Sequence, residues 1–231
     1  MSTDNMKQTA NRRDFLGKVT GAAALLGATS LITPADAFAG TEFNKSAMDA
    51  EAWFNMVKGK HRMIFDCTEP KEIFPFAWPK IFLVTNAATG TPEKDCGVVV
   101  VLRHSAIPYG LNDSLWEKYK FGEVFKINAW QTTTPATANP FWETTPDKFK
   151  IPGIGAVPLG IRDLQASGVM FCVCEMAISV NSAVMAMKMN LDPADVKKEW
   201  LANLNPGFQP VPSGVWAVGR AQEHGCTYCY V

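Results

Sequence analysis

The six cysteines and three histidines of this 231-residue sequence are the side chains best suited to covalent or metal chemistry. Cys172 and Cys174 stand two apart in an apolar run over 169–174, which turns at once into a helical pattern over 175–189. A thiol just ahead of a helix N-terminus meets aligned peptide dipoles and unpaired N–H groups. Both favour the thiolate, which is the nucleophilic form. Glu175 works against the thiolate unless a cation or His104 offsets it. Strand alternation predicts that Cys172 and Cys174 share a face about 6.6 Å apart, at about 3.3 Å per residue, so the two could act on one sulfur atom or one metal ion.

Other reactive residues fall at comparable places. Cys67 closes an apolar run over 61–67, and His104 follows the β-branched run over 97–103. Ser213 follows a short run over 208–211. If these runs are parallel strands, Cys67, His104, Cys174 and Ser213 lie along the carboxyl edge of one sheet, where α/β proteins place their sites. The expected arrangement has Cys174 as nucleophile, His104 as its polar partner, and Cys67 or Cys172 as a resolving thiol, with no cofactor. The alternative uses Cys67, Cys172, Cys174 and His104 to bind a soft metal ion such as Cu or Zn, with Cys226, Cys229 and His224 less well placed. A third reading leaves the cysteines buried or paired in a structural oligomer subunit. Cys96 opens its strand and belongs at the opposite edge. Cys226 and Cys229 form a C-x-x-C, but Tyr230 follows where haem attachment needs His. In an extended segment their Cα atoms would be about 10 Å apart, too far for a mutual disulfide, and would face opposite sides.

Positioning these residues requires regular elements. Strands are predicted over 61–67, 97–103, 169–174, 208–211 and 226–231. Helices are predicted over 46–57 (Met48, Ala52 and Met56 on one side), 114–119, 161–167, 193–204 and 215–224. The helix over 175–189 should turn Met176, Val180, Ala183, Val184 and Met187 to the core. Residues 69–88 read as partly helical, broken or kinked at Pro75 and Pro79. This alternation predicts an α/β fold, a mostly parallel five-stranded sheet with helices on both faces. Residues 122–160 are rich in Pro, Gly and Thr and read as a long irregular insertion. Trp130, Phe141, Trp142 and Phe149 suggest that it packs on the sheet edge or on a neighbouring subunit, or closes over a site as a lid.

The N-terminus carries paired Arg12 and Arg13, a mild apolar run over 19–32, and Ala35-Asp36-Ala37-Phe38-Ala39. This pattern predicts a twin-arginine export signal over 1–39, cleaved after Ala37 or Ala39, and a periplasmic or otherwise exported single domain over 40–231. The apolar run is too short and too rich in small residues to span a bilayer comfortably, and no span is expected after signal removal. An even cysteine count in an oxidising compartment makes disulfides the default. Hydrophobic residues are 47% and charged residues 19%, a globular balance. With 22 basic and 22 acidic residues, the chain has no basic footprint for nucleic acid.

Three blocks carry a resemblance. They are Gly168-Val169-Met170-Phe171-Cys172-Val173-Cys174, then Val211-Pro212-Ser213-Gly214-Val215, then Arg220-Ala221-Gln222-Glu223-His224-Gly225-Cys226-Thr227-Tyr228. Together with the strand ending at His104, they resemble the DsrE/DsrF-like family. The resemblance implies a flavodoxin-type three-layer α/β fold assembled as trimers or hexamers. It also implies a role in sulfur trafficking, with the family cysteine carrying sulfur as a persulfide. Cys174 matches that cysteine. Glu175-Met176-Ala177 stands where the family commonly has Gly-Asn-Thr.

Overall fold

The computed structural model describes residues 41–231 apart from 146, 152 and 154; the export signal expected over 1–39 lies outside the described residues. The first elements are α1 (Thr41–Phe54), β1 (His61–Cys67), α2 (Phe74–Ala88) and β2 (Cys96–Leu102). A 3-10 turn over His104–Gly110 leads to α3 (Asp113–Tyr119) and α4 (Phe121–Val124). A small hairpin, β3 (Lys150–Ile151) and β4 (Gly155–Ala156), precedes α5 (Ile161–Ala166) and β5 (Met170–Cys174). The chain ends with α6 (Glu175–Met189), α7 (Pro193–Ala202), β6 (Phe208–Val211), α8 (Gly214–Glu223) and β7 (Thr227–Tyr230).

Five strands form one parallel sheet in the order β6-β5-β2-β1-β7. From β1 the chain steps through β2 and β5 to β6, then returns across the sheet to β7. Right-handed crossovers put helices on one face while the strands advance in one direction, and on the other face when the direction reverses. The core divides accordingly. Phe65, Cys67, Val100, Leu102, Phe171 and Val173 pack beneath the helices that follow β1, β2 and β5. Ile64, Val99, Val101, Cys172 and Val211 pack beneath α1 and α8. Residues 98–102 are all buried, as a strand covered on both faces must be. The α/β fold read from the sequence is therefore the fold observed.

Several local expectations are corrected. Helix α2 is continuous from Phe74. Pro75 lies in the first turn, where no intrahelical N–H is needed, and Pro79 removes one bond without ending the helix. In α1, Ala50 and Phe54 are the buried side, while Met48, and Met56 just beyond the helix, are exposed. Helix α6 turns Ala177, Ile178, Ser182, Met185 and Ala186 inward, and of the predicted set Met176 packs half-buried against the core. Val180 is 55% exposed and Met187 60%, with Val184 exposed beside them. Apolar residues surround this helix, so periodicity alone could not select the buried stripe.

The insertion packs on the larger core. Phe141 lies 4.6 Å from the Phe76 ring of α2 and stacks on Phe149 at 5.4 Å. Asn139 Nδ2 donates to the Tyr109 carbonyl, and Trp130 Nε1 donates to that of Lys148. A groove of about 430 Å³ lies between this segment and the loop after β1, lined by Glu72, Tyr109, Lys126, Trp130 and Phe141 among others. Among the described residues, no helix is long and apolar enough to cross a membrane.

Candidate functional site at the carboxyl edge of the sheet

The geometry of the sheet singles out the gap between β5 and β6. The helix after β5 lies on one face and the helix after β6 on the other, so these two neighbours form the topological switch point. In open α/β sheets the ligand crevice opens there, beyond the strand carboxyl ends. Cys174 ends β5 and Ser213 follows β6. Each caps the helix it precedes. The Cys174 Sγ accepts a hydrogen bond from the Ala177 N–H at 3.2 Å, and the Ser213 Oγ accepts one from the Trp216 N–H at 3.2 Å. Met176 N–H donates to the Pro212 carbonyl at 3.3 Å and ties the two turns together. Cys174 is 6% exposed, so it is a buried thiol at this rim. Glu175 is buried beside it, with its carboxylate 3.2 Å from the Lys197 ammonium. That lysine is the offsetting cation that the position of Glu175 calls for.

A polar network stands next to this thiol. Arg103 is the first residue beyond β2, and Leu102 pairs with Val173, so Arg103 comes abreast of Cys174 one step further along. The Arg103 Nε and Nη2 donate to the two Asp66 carboxylate oxygens at 2.6 and 2.9 Å. Tyr228 Oη donates to Asp66 Oδ2 at 2.9 Å. Asp66 is 2% exposed, and this forked pairing satisfies it. The hydrogen bond to Asp66 holds the Arg103 guanidinium above its ordinary range, against burial, and the Cys174 charge contributes in the same direction. Gly214 closes the arrangement from the α8 side. A Cβ there would lie 2.6 Å from the Arg103 side chain, so only glycine lets the helix start this close. Asp66, Arg103, Val215, Val218, Gln222 and Tyr228 line a groove of about 390 Å³.

The other predicted site residues are distributed less simply. His104 is exposed at the same rim, with Nδ1 3.2 Å from the Ser105 Oγ, and adopts a left-handed backbone with φ 52°. Cys67 does end β1, but it is fully buried with Sγ directed at the Phe65 carbonyl. Burial pushes its thiol well up, and Asp66 adds to the effect. Cys172 is fully buried beneath α1 and α8, and burial likewise raises its thiol, with Cys174 contributing. Cys172 and Cys174 do not share a packing environment, because the chain turns into α6 at Cys174 and carries that sulfur toward the other core. Cys67 and Cys172 also lie on opposite faces, so Cys67, Cys172, Cys174 and His104 do not converge. Among the described residues, no three His, Cys, Asp or Glu side chains stand close enough to hold a metal ion. Cys96 is at the opposite edge, paired with His61 at the start of the strands. Cys226 packs under α1 and α8, while Cys229 packs against the other core, so the C-x-x-C pair does split across the sheet. All six cysteines are free thiols in this structure, not the disulfides expected by default.

Asp66, Arg103 and the role of Tyr228 are not among the features that the sequence motifs single out. Two signals were available: an acidic residue inside an otherwise apolar buried strand, and an arginine placed directly after an all-apolar one. A buried carboxylate requires a partner, and the nearest fixed cation along a parallel rim is the one on the adjacent strand.

Fold and site together define an α/β protein with a parallel five-stranded sheet and a helix-capping thiol at its switch point. No family-level sequence model and no curated protein matches the chain. Among solved structures the chain is similar to MTH1491, a protein of unknown function from Methanobacterium thermoautotrophicum. The two share 15% identity with a TM-score of 0.37, over 74% of this chain and 100% of the other.

Proposed function

We propose that this chain is a DsrE-like sulfur carrier in which Cys174 takes up one sulfur atom as a persulfide. The observation that carries the reading is the placement of Cys174. Its sulfur accepts an N–H bond at the start of a 15-residue helix, at the switch point of the sheet. A helix N-terminus stabilises the anion that must attack. In the uptake step the Cys174 thiolate attacks the sulfane sulfur of a donor persulfide. A new S–S bond forms at Cys174, the donor's S–S bond breaks, and its electron pair leaves on the donor thiolate. The proton stays on the transferred sulfur.

The test is intact-mass analysis of the reduced, purified protein after exposure to inorganic polysulfide. The expected result is a gain of one sulfur atom, reversed by reductant, mapped to Cys174 and absent from Cys174→Ser. Serine retains a capping oxygen, so this variant keeps the helix start intact. Sulfur uptake by Cys174→Ser equal to wild type overturns the reading.

The same proposal has the chain exported by its twin-arginine segment and assembled as a homo-oligomer. The first part is supported by Arg12, Arg13 and the small-residue site at 35–39. Substituting both arginines by lysine should retain the protein in the cytoplasm, and unchanged export would contradict it. The second is supported by the exposed apolar side of α6.

A further inference from the structure

We infer that Asp66 and Tyr228 fix the Arg103 guanidinium as the counter-charge of the Cys174 thiolate, which makes Arg103 and Asp66 positioning residues for this site. The inference deepens the sulfur-carrier proposal and rests on its assignment of Cys174 as the reacting thiol. Three observations carry it. The strand register brings Arg103 abreast of Cys174 on the adjacent strand, and paired strands lie about 4.8 Å apart. The Asp66 carboxylate engages Nε and Nη2 and leaves Nη1 outside that fork. Gly214 starts α8 beside the aliphatic stem of Arg103, with no room for a Cβ between them. A guanidinium held in a carboxylate fork has little rotamer freedom to lose when a charge forms beside it.

The fixed position of the cation matters because the surroundings of Cys174 are mixed in sign. On its own helix Glu175 is negative and is offset by Lys197 of α7. Cys172 is the neighbouring thiol on β5, His104 follows Arg103 on the rim, and Asp66 and Tyr228 stand behind Arg103 on β1 and β7. Asp66 therefore has two opposed influences. As a bare negative charge it disfavours a thiolate. As the anchor of Arg103 it favours one.

That opposition supplies the test. The rate at which iodoacetamide alkylates Cys174 is measured across pH on the folded, reduced protein, with the labelled cysteine resolved by peptide mass spectrometry. Arg103→Gln is expected to slow the reaction at neutral pH about tenfold and to move the rate profile to higher pH. Asp66→Asn is expected to slow it as well, since the guanidinium loses its charged anchor. Were Asp66 only a nearby charge, the same substitution would accelerate alkylation. An unchanged rate in Arg103→Gln, or a faster one in Asp66→Asn, overturns the inference. Should Arg103→Gln fail to fold, Arg103→Lys and Tyr228→Phe carry the test. Both keep every charge, both are expected to slow alkylation, and wild-type rates in both overturn the inference. The readout needs no sulfur cargo. Arg103-dependent alkylation without persulfide on Cys174 defeats the sulfur-carrier reading and leaves the counter-charge standing. Persulfide loading without Arg103 dependence does the opposite.

Discussion

Five of the six cysteines of this chain are buried, and they differ from one another through their place in the sheet. Cys67 and Cys172 are fully buried and their thiols are pushed well up by desolvation, whereas Cys174 caps a helix at the rim. A thiol held neutral in a dry core is a poor nucleophile, because the thiolate is the reacting form. In the native protein at mildly alkaline pH, Cys174 and the half-buried Cys229 should be alkylated well before Cys67 and Cys172. In denaturant all should react alike. Equal native rates for Cys67 and Cys174, read by peptide mass spectrometry, would remove the distinction. For the same reason neither Cys67 nor Cys172 is placed to resolve a Cys174 adduct without local opening. Asp66 shows the complementary case. It is a charge that burial would penalise by several kcal/mol, tolerated because Arg103 and Tyr228 fill its acceptor sites.

At the level of elements, helix α3 is tied to α7 by one cluster. Glu199 accepts from Lys118 Nζ at 2.6 and 2.8 Å and from the Tyr119 hydroxyl. Burial pushes the Glu199 carboxyl up, but the bonds from Lys118 and Tyr119 outweigh it and hold the group below its ordinary value. A carboxyl lowered in the folded state stabilises above its unfolded value, near 4.3, and loses that contribution as pH falls toward the lower folded value. Glu199→Gln should therefore cost a little stability at neutral pH, roughly 1 kcal/mol or less because the cluster is partly exposed. The difference from wild type should shrink in acid. Chemical denaturation of both proteins at neutral pH and below pH 4 checks this, and a gap that widens in acid would refute it. The helix pairs around the site obey the same logic of local capping. Asp192 caps α7 through the Ala194 and Asp195 N–H groups, and Pro193 sits where its missing N–H costs nothing.

For the molecule as a whole, exposed apolar side chains of the described residues gather on the outer side of α6. Val180, Val184, Met187, Met189 and Leu191 are all exposed along or just beyond one helix. Apolar side chains clustered in this way mark an association surface more often than a solvated one. If copies of the chain assemble there, Val184→Asp should lower the mass measured by light scattering to that of the single chain of 25.3 kDa, less any cleaved segment. The fold itself should survive, since Val184 contributes nothing to either core. An unchanged mass for an oligomeric wild type would place the interface elsewhere.

Much of this protein was legible without coordinates. The β-branched strand, read over 97–103 and observed over Cys96–Leu102, the alternation of strands with capped helices, and the bounds Glu175–Met189 of α6 followed from local propensity and periodicity, which act over a few residues. The same patterns ranked Cys174 above the other thiols, since a helix start is a local feature. What lay beyond the sequence was set by packing at long range. Which stripe of α6 is buried depended on α7, more than a helix turn away in sequence. Cys172 and Cys174 were separated by a change of direction that strand alternation does not anticipate. Arg103 met Asp66 only because β1 and β2 are neighbours in register, and Tyr228 joined them because the last strand crosses back beside β1. A buried charge finds its partner through the order of strands, and only the assembled sheet establishes that order.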